Sequence, residues 1–453
     1  MHVGRALFAV AAIAVVAAVV GGPQPREAGW QAVHSVTRDS MRGTRIAVPS
    51  SNRQASESAA WCGTPSPQDV MPNVASGYPT HWIYATPSDE ADGFTTYANV
   101  MQSDAESIDA WWRSQDPTRM PRNDLAQFSC GTQLDLTQSR LSESGAELSG
   151  EDTRFVRIAE ALVALGFSSR HTKYVVYYDG PGHPHICGEG GSHEDGYGYA
   201  IVYVRACTGV PPSTTATHEL LHTLGAVPTG APHDCAQPMD GHVCDDAYDM
   251  MYPFGDETPI TGLSLDTGRD DYYEHAGSQL DIQDSPWLVQ LDRQVPLALS
   301  VTGPGSVSAD VPGLRCAQSC TTAWNADTTL ALTASPSAGA KLVRWGGACL
   351  GAAECSVGLT QPVNVSAFFA PANFKVKVAL SGRGAVRSPR NAIACPGKCS
   401  ALVPSYEPLR LTAKPAQGWR FQRWAGSCRG RAVTCTLPMT EATGARAIFV
   451  RAA

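Results

Sequence analysis

Lysine and arginine are scarce in this chain: 34 residues of 453, against 42 aspartates and glutamates, and nowhere do they form a run. A formal net charge of −8 without a basic patch excludes nucleic acid as the expected partner. Long apolar stretches are missing too, with one exception. "ALFAVAAIAVVAAVV", Ala6 to Val20, follows His2 and Arg5 and precedes "GGPQP". It has the length of a secretory signal and is short for a bilayer span, so residues 1–22 are read as a signal peptide. No later segment is apolar and long enough to cross a membrane, and no cysteine follows closely enough to suggest a lipid anchor. Residues 23–60 are polar and non-periodic and read as a flexible or pro-segment. A secreted monomer is the expectation, with an uncleaved anchor that keeps the chain at the cell surface as the alternative.

Cysteine, by contrast, is abundant. Fourteen is an even count, which in an exported chain indicates disulfides. Eight of them lie after residue 315 and expose an internal repeat. Cys316, Cys320 and Cys349 recur 79 residues on as Cys395, Cys399 and Cys428, and Trp345 recurs as Trp424. Cys355 answers to Cys435. Alternating apolar residues between Gly, Pro and Ser clusters predict antiparallel strands. Residues 296–372 and 373–453 are thus two small all-β modules, each stapled by two bridges. Cys316–Cys320 with Cys349–Cys355, and their equivalents, are the expected pairs, with Trp345 and Trp424 as core residues. The modules resemble the β-repeats at the C-termini of secreted and cell-surface bacterial proteins. That resemblance implies binding of an extracellular ligand, spacing or anchoring, and no chemistry.

Residues 61–295 read as an α+β domain. "TTYANVMQSDAESIDAWWRSQ" and "EDTRFVRIAEALVALGF" carry helical spacing, whereas "THWIYATPS", "KYVVYYDG" and "YAIVYVRAC" suit strands of a mixed, twisted sheet. The helix that bears chemistry is "PPSTTATHELLHTLG". Pro212 and Ser213 suit its start and Gly225 its left-handed cap. His218 and His222, four apart, share one face and can hold one Zn²⁺, with Glu219 beside them as general base. A bound zinc makes its water acidic and polarises a carbonyl, and Glu219 takes the proton and passes it to the leaving amine.

"HELLHTLG", together with "MMYP" at 250–253, resembles the metzincin zinc proteases over residues 218 to 253. The resemblance implies a zinc-dependent endopeptidase acting on an extended peptide, with Met251 or its neighbour Met250 in the Met-turn beneath the ligands. The family places its third ligand three residues past the glycine, and Pro228 stands there. His233 and His242 are the candidates. Measured back from the Met-turn, the family's third histidine falls at His242, eleven residues before Pro253, with His233 as runner-up. Residues 226–241 then contain an insertion, and a Cys235–Cys244 bridge would close it.

Cys187 is expected to pair with Cys207, which leaves Cys62 with Cys130. "WCGTP" also resembles the zinc-capping propeptide cysteine of matrix metalloproteases. His183, His185 and His193 lie in a Gly-rich loop as a second metal site or as solvent-exposed histidines. Asp245, Asp246, Asp249, Asp266, Asp270 and Asp271 form a carboxylate-rich region suited to Ca²⁺ or to solvated turns. Tyr252 borders the substrate pocket, helps to hold the oxyanion, or simply packs. The rival to an enzyme is a non-catalytic cell-surface binding protein with a degenerate protease domain.

Overall fold

A computed structural model describes residues 34–38, 60–69, 76–150, 153–183, 185–207, 209–255 and 257–452, with side chains of 34–38 excepted. The expected signal peptide and most of the expected pro-segment lie outside the described residues. The chain divides into two compact units. One holds Thr80–Pro117 and Phe128–Ser285 with the described residues up to 69. The other holds Pro286–Ala453 together with Thr118–Gln127 and the described part of 71–79.

The first unit is built on a seven-stranded mixed sheet. Thr80–Thr86 lies between Leu136–Arg140 and Lys173–Tyr178, and Gly198–Tyr203 follows, all four parallel. Ile186–Ser192 then runs antiparallel to Gly198–Tyr203. Lys173–Tyr178 and Gly198–Tyr203 are almost continuously apolar because both faces are covered. Ile83, Val176 and Ile201 pack with Phe155, Ile158 and Leu162 of helix α2, Arg154–Ala164. Residues of the opposite parity point to the other face, where Tyr177 donates to Asp104 of helix α1, Phe94–Gln115, at 2.7 Å. Helix α3, Pro212–Leu224, lies on the Ile186–Ser192 and Gly198–Tyr203 strands and against α1.

One strand falls inside the stretch read as flexible. His34–Arg38 pairs antiparallel with Ile186–Ser192 and parallel with the two-residue strand Phe254–Gly255, which completes the sheet. "HSVTR" is too short and too polar to announce itself by periodicity, and both its partners lie more than 140 residues away.

In the second unit each module consists of two four-stranded sheets. Most pairings are antiparallel, as the alternation predicts. The exception recurs: Gln294–Thr302 runs parallel to Val363–Pro371, and Asn373–Ser381 parallel to Thr443–Arg451. Each module closes by laying its last strand beside its first. Trp345 and Trp424 are core residues, and each indole N–H donates to a carbonyl eight residues on, at Ala353 and Ala432, both at 3.0 Å. The unit also contains a two-stranded pairing of Arg119–Pro121 with Leu288–Gln290. There Arg122 donates to Asn325 at 2.8 Å, and Asn325 in turn donates to the Leu288 carbonyl at 2.8 Å. All seven expected disulfides are present: Cys62–Cys130, Cys187–Cys207, Cys235–Cys244 and two in each module. Cys62 is therefore a bridge partner and not a capping thiolate.

Candidate metal centre

Helix α3 starts where a proline is tolerated, with Pro212 in its first turn. It stops at Gly225, whose φ of +91° only glycine adopts without strain. Between these ends Ser213 to Leu224 are all buried. Two histidines and a glutamate in so enclosed a helix need polar partners, because a lone buried polar group is costly.

The histidines find them in one another's company. The Nε2 atoms of His218 and His222 are 3.1 Å apart, and those of His222 and His242 are 3.3 Å apart. The three residues are 2%, 5% and 2% exposed. Their outer nitrogens explain the arrangement. His218 Nδ1 lies 2.7 Å from the Met250 carbonyl, and His242 Nδ1 lies 3.1 Å from the Met239 carbonyl. A carbonyl only accepts, so each Nδ1 carries the proton and each neutral ring turns an Nε2 lone pair towards the cluster. Such lone pairs repel unless a cation sits among them. Three converging imidazoles, two of them with the back nitrogen held by a carbonyl, are a donor set that a divalent zinc ion would fit.

His242 reaches the helix through the loop that follows Gly225. The Cys235–Cys244 bridge closes it, the Cys235 N–H donates to the His242 carbonyl at 2.8 Å, and the Val243 N–H donates to the Met251 carbonyl at 3.0 Å. Met250 and Met251 are 2% and 0% exposed. Asp249 fixes this turn. Its carboxylate accepts from the Met251 N–H at 2.7 Å, the Thr267 N–H at 2.6 Å and the Tyr272 hydroxyl at 3.0 Å. Burial pushes its carboxyl up to about 7 against the pull of those donors.

His233 is placed elsewhere. Its Nδ1 lies 3.0 Å from Asp271, with Asp245 at 3.6 Å and Asp270 at 3.8 Å. Asp271 raises the imidazole above its ordinary value. Asp266 spends its oxygens on the backbone N–H groups of residues 270 to 273, and Asp246 accepts from the Tyr248 N–H. His193 stacks on Tyr197, and the His183 and His185 rings lie near each other. Among the described residues these loop histidines join no cluster of metal-ligating side chains. Tyr252 lines a small cleft beside His218 with Thr214, Phe254 and Leu263.

Sequence reasoning missed what surrounds Glu219. The residue is fully buried, and Gly188 and Gly190 of the Ile186–Ser192 strand face it. A Cβ at Gly188 would come within 2.8 Å of the Glu219 carboxylate, and one at Gly190 within 2.5 Å of its backbone carbonyl. The signal was there in "CGEGGS": glycines two apart in a strand leave one face bare, which marks a close approach.

Among curated proteins, none matches this sequence. Solved structures give faint likenesses. Wild-type OgpA from Akkermansia muciniphila is 11% identical over 87% of this chain and 100% of its own, with a TM-score of 0.26. The catalytically inactive form of OgpA, in complex with an O-glycopeptide (glycodrosocin) substrate, is 10% identical over 86% of this chain and 100% of its own, at 0.25. The major pilin protein T-13 of Streptococcus pyogenes is 10% identical over 35% of this chain and 97% of its own, at 0.17. None of these superpositions amounts to a shared fold. The family model is decisive only at the C-terminal end. It matches residues 297–373 and 376–453, and the region that follows the first unit is a pair of divergent InlB B-repeat domains.

Proposed function

We propose that this protein is a secreted zinc-dependent endopeptidase of metzincin type, with the B-repeats as a spacer or attachment region. One observation carries the reading: three buried imidazoles converge through Nε2 while carbonyls hold the Nδ1 protons of two of them. His218, His222 and His242 would hold the metal. When bound, zinc supplies Lewis acidity towards a carbonyl and makes water a nucleophile at neutral pH. The chain does the rest. The carbonyls of Met250 and Met239 keep His218 and His242 in one tautomer, so both remain neutral donors. Glu219, next to His218, accepts a proton from water and returns it to the departing amine. Tyr252 and Phe254 bound a cleft on the His218 side that suits one side chain of an extended peptide.

The test is metal content and hydrolysis on one purified sample. Zinc near one per chain, and chelator-sensitive cleavage of casein, are the expected results. His242→Ala should lose the metal and His233→Ala should keep it. Loss in the His233 variant alone would reverse the ligand assignment. Full-length protein that binds no metal would overturn the enzyme and favour a binding protein.

A further inference from the structure

The two B-repeats share a fold but not a charge. Residues 373–453 hold 14 of the chain's 34 lysines and arginines and only 2 of its 42 aspartates and glutamates. Residues 296–372 hold three basic and three acidic residues. The side chains of the second module thus carry +12 within a chain of −8 overall. All fourteen cations are exposed, and among the described residues none of them takes part in an ion pair. No basic run announces the patch, because along the strands the cations alternate with buried residues and only strand pairing gathers them.

In the sheet that contains Asn373–Ser381, Lys375 and Lys377 flank buried Val376, and Ala379 pairs with Arg446 of the last strand. On the far side of that strand Arg423 faces Ile448 and Arg420 faces Val450. Paired residues and residues two apart share a face, so these five cations project from one side. The other sheet adds Arg387, Arg410 and Lys414, which alternate with buried Val386, Leu409, Leu411 and Ala413. The two sheets pack on one core, so the two charged faces point in opposite directions. Glu407 and Glu441 fall in loops. The first module closes the same strands with Ala298, Ser366, Ser308 and Ala331 where the second has Lys377, Arg446, Arg387 and Arg410. Folding therefore does not need these charges, and their mutual repulsion opposes it.

We propose that the second B-repeat binds a flexible polyanion, a phosphodiester-linked polyol without bases, along both faces. Ten of the fourteen cations are arginines, whose planar fork matches phosphate oxygens. Phe374, Trp419, Phe421, Trp424 and Phe449 all pack on the core, so the charged faces offer bases no stacking platform. A planar bilayer meets one face at a time, whereas a flexible chain reaches both. The inference rests on the attachment role given to the B-repeats and is independent of the metal centre.

The experiment uses the full chain and a variant that takes the first module's residues: Lys377→Ala, Arg446→Ser, Arg387→Ser and Arg410→Ala. Binding of labelled poly(glycerol phosphate) is titrated over a range of salt, beside single-stranded DNA, dextran sulfate and phosphatidylglycerol vesicles, and casein hydrolysis is followed in parallel. The wild type should bind the polyol phosphate with an affinity that falls steeply with salt. The fourfold variant should bind at least about tenfold more weakly and with a shallower salt dependence. Each face's pair of substitutions alone should cause part of that loss, and these pairs serve if circular dichroism shows the fourfold variant unfolded. Hydrolysis should be equal throughout. Binding as expected with no hydrolysis in any protein would uphold the partner and overturn the peptidase. Unchanged affinity in the variant would overturn the partner. So would complete loss from one face's pair, tighter binding of DNA or dextran sulfate at equal charge, or binding to vesicles alone.

Discussion

Glu219→Gln keeps the volume that Gly188 and Gly190 enclose and removes only the group that can take a proton. The variant should retain zinc and its melting temperature while turnover falls by roughly 10²–10⁴-fold. Near-wild-type turnover would strip Glu219 of its role. Asp249 titrates with a defined sign. Its carboxyl rises from an ordinary 3.8 to about 7 through burial, so the folded protein holds a proton that the unfolded chain has released. The stabilisation is complete below the unfolded value and is lost as pH rises through about 7. Asp249→Asn should therefore show a smaller drop in melting temperature between about pH 4 and about pH 7 than the wild type shows. An unchanged drop in thermal melts would shift that pH dependence to other buried carboxyls such as Glu189. At this scale the sequence was informative where chemistry imposes spacing. Four residues separate His218 from His222 because a helix turn does, and His242 could be reached by counting back from the methionines. The glycines facing Glu219 and the donors on Asp249 could not be reached this way, because they depend on which strand and turn come to lie beside which helix.

The loop that follows Gly225, closed by Cys235–Cys244, is the element on which the placement of His242 depends. A bridge across nine residues of separation restricts the unfolded loop and contributes about 2–3 kcal/mol on chain-entropy grounds. The double variant Cys235→Ser, Cys244→Ser should melt lower and bind zinc more weakly. The matching variant at Cys316 and Cys320 should leave zinc affinity unchanged. If both behave alike in a competition titration, the bridge does not position His242. The strands Lys173–Tyr178 and Gly198–Tyr203 were readable because burial on both faces imposes a mostly apolar composition, and helix α3 because Pro212 and Gly225 mark its ends. His34–Arg38 was not, since its stability comes from two neighbours distant in sequence and from no pattern of its own. The parallel closure of each B-repeat was equally hidden: alternation reports a half-buried strand but not the direction of its partner.

For the molecule as a whole, seven disulfides and a pair of B-repeats fit a chain that works outside the cytosol. The second unit also sets where the chain can be shortened. A cut after residue 295 removes Asn325, the residue that ties Arg122 to Leu288 within that unit. A cut after Ala372 spares this network. The shorter truncation should give soluble protein with full metal content, and the cut at 295 should give poorly soluble protein, as size-exclusion chromatography would reveal. Equal behaviour would make the Arg122 contacts dispensable. One feature of the repeats bears on mechanics. In each module the first and last strands lie side by side and point the same way. A pull on the two ends of such a module slides these strands past each other, and all their hydrogen bonds resist at once instead of parting in turn. Each B-repeat should thus behave as a stiff element that yields in one step under force, a property measurable by stretching single molecules.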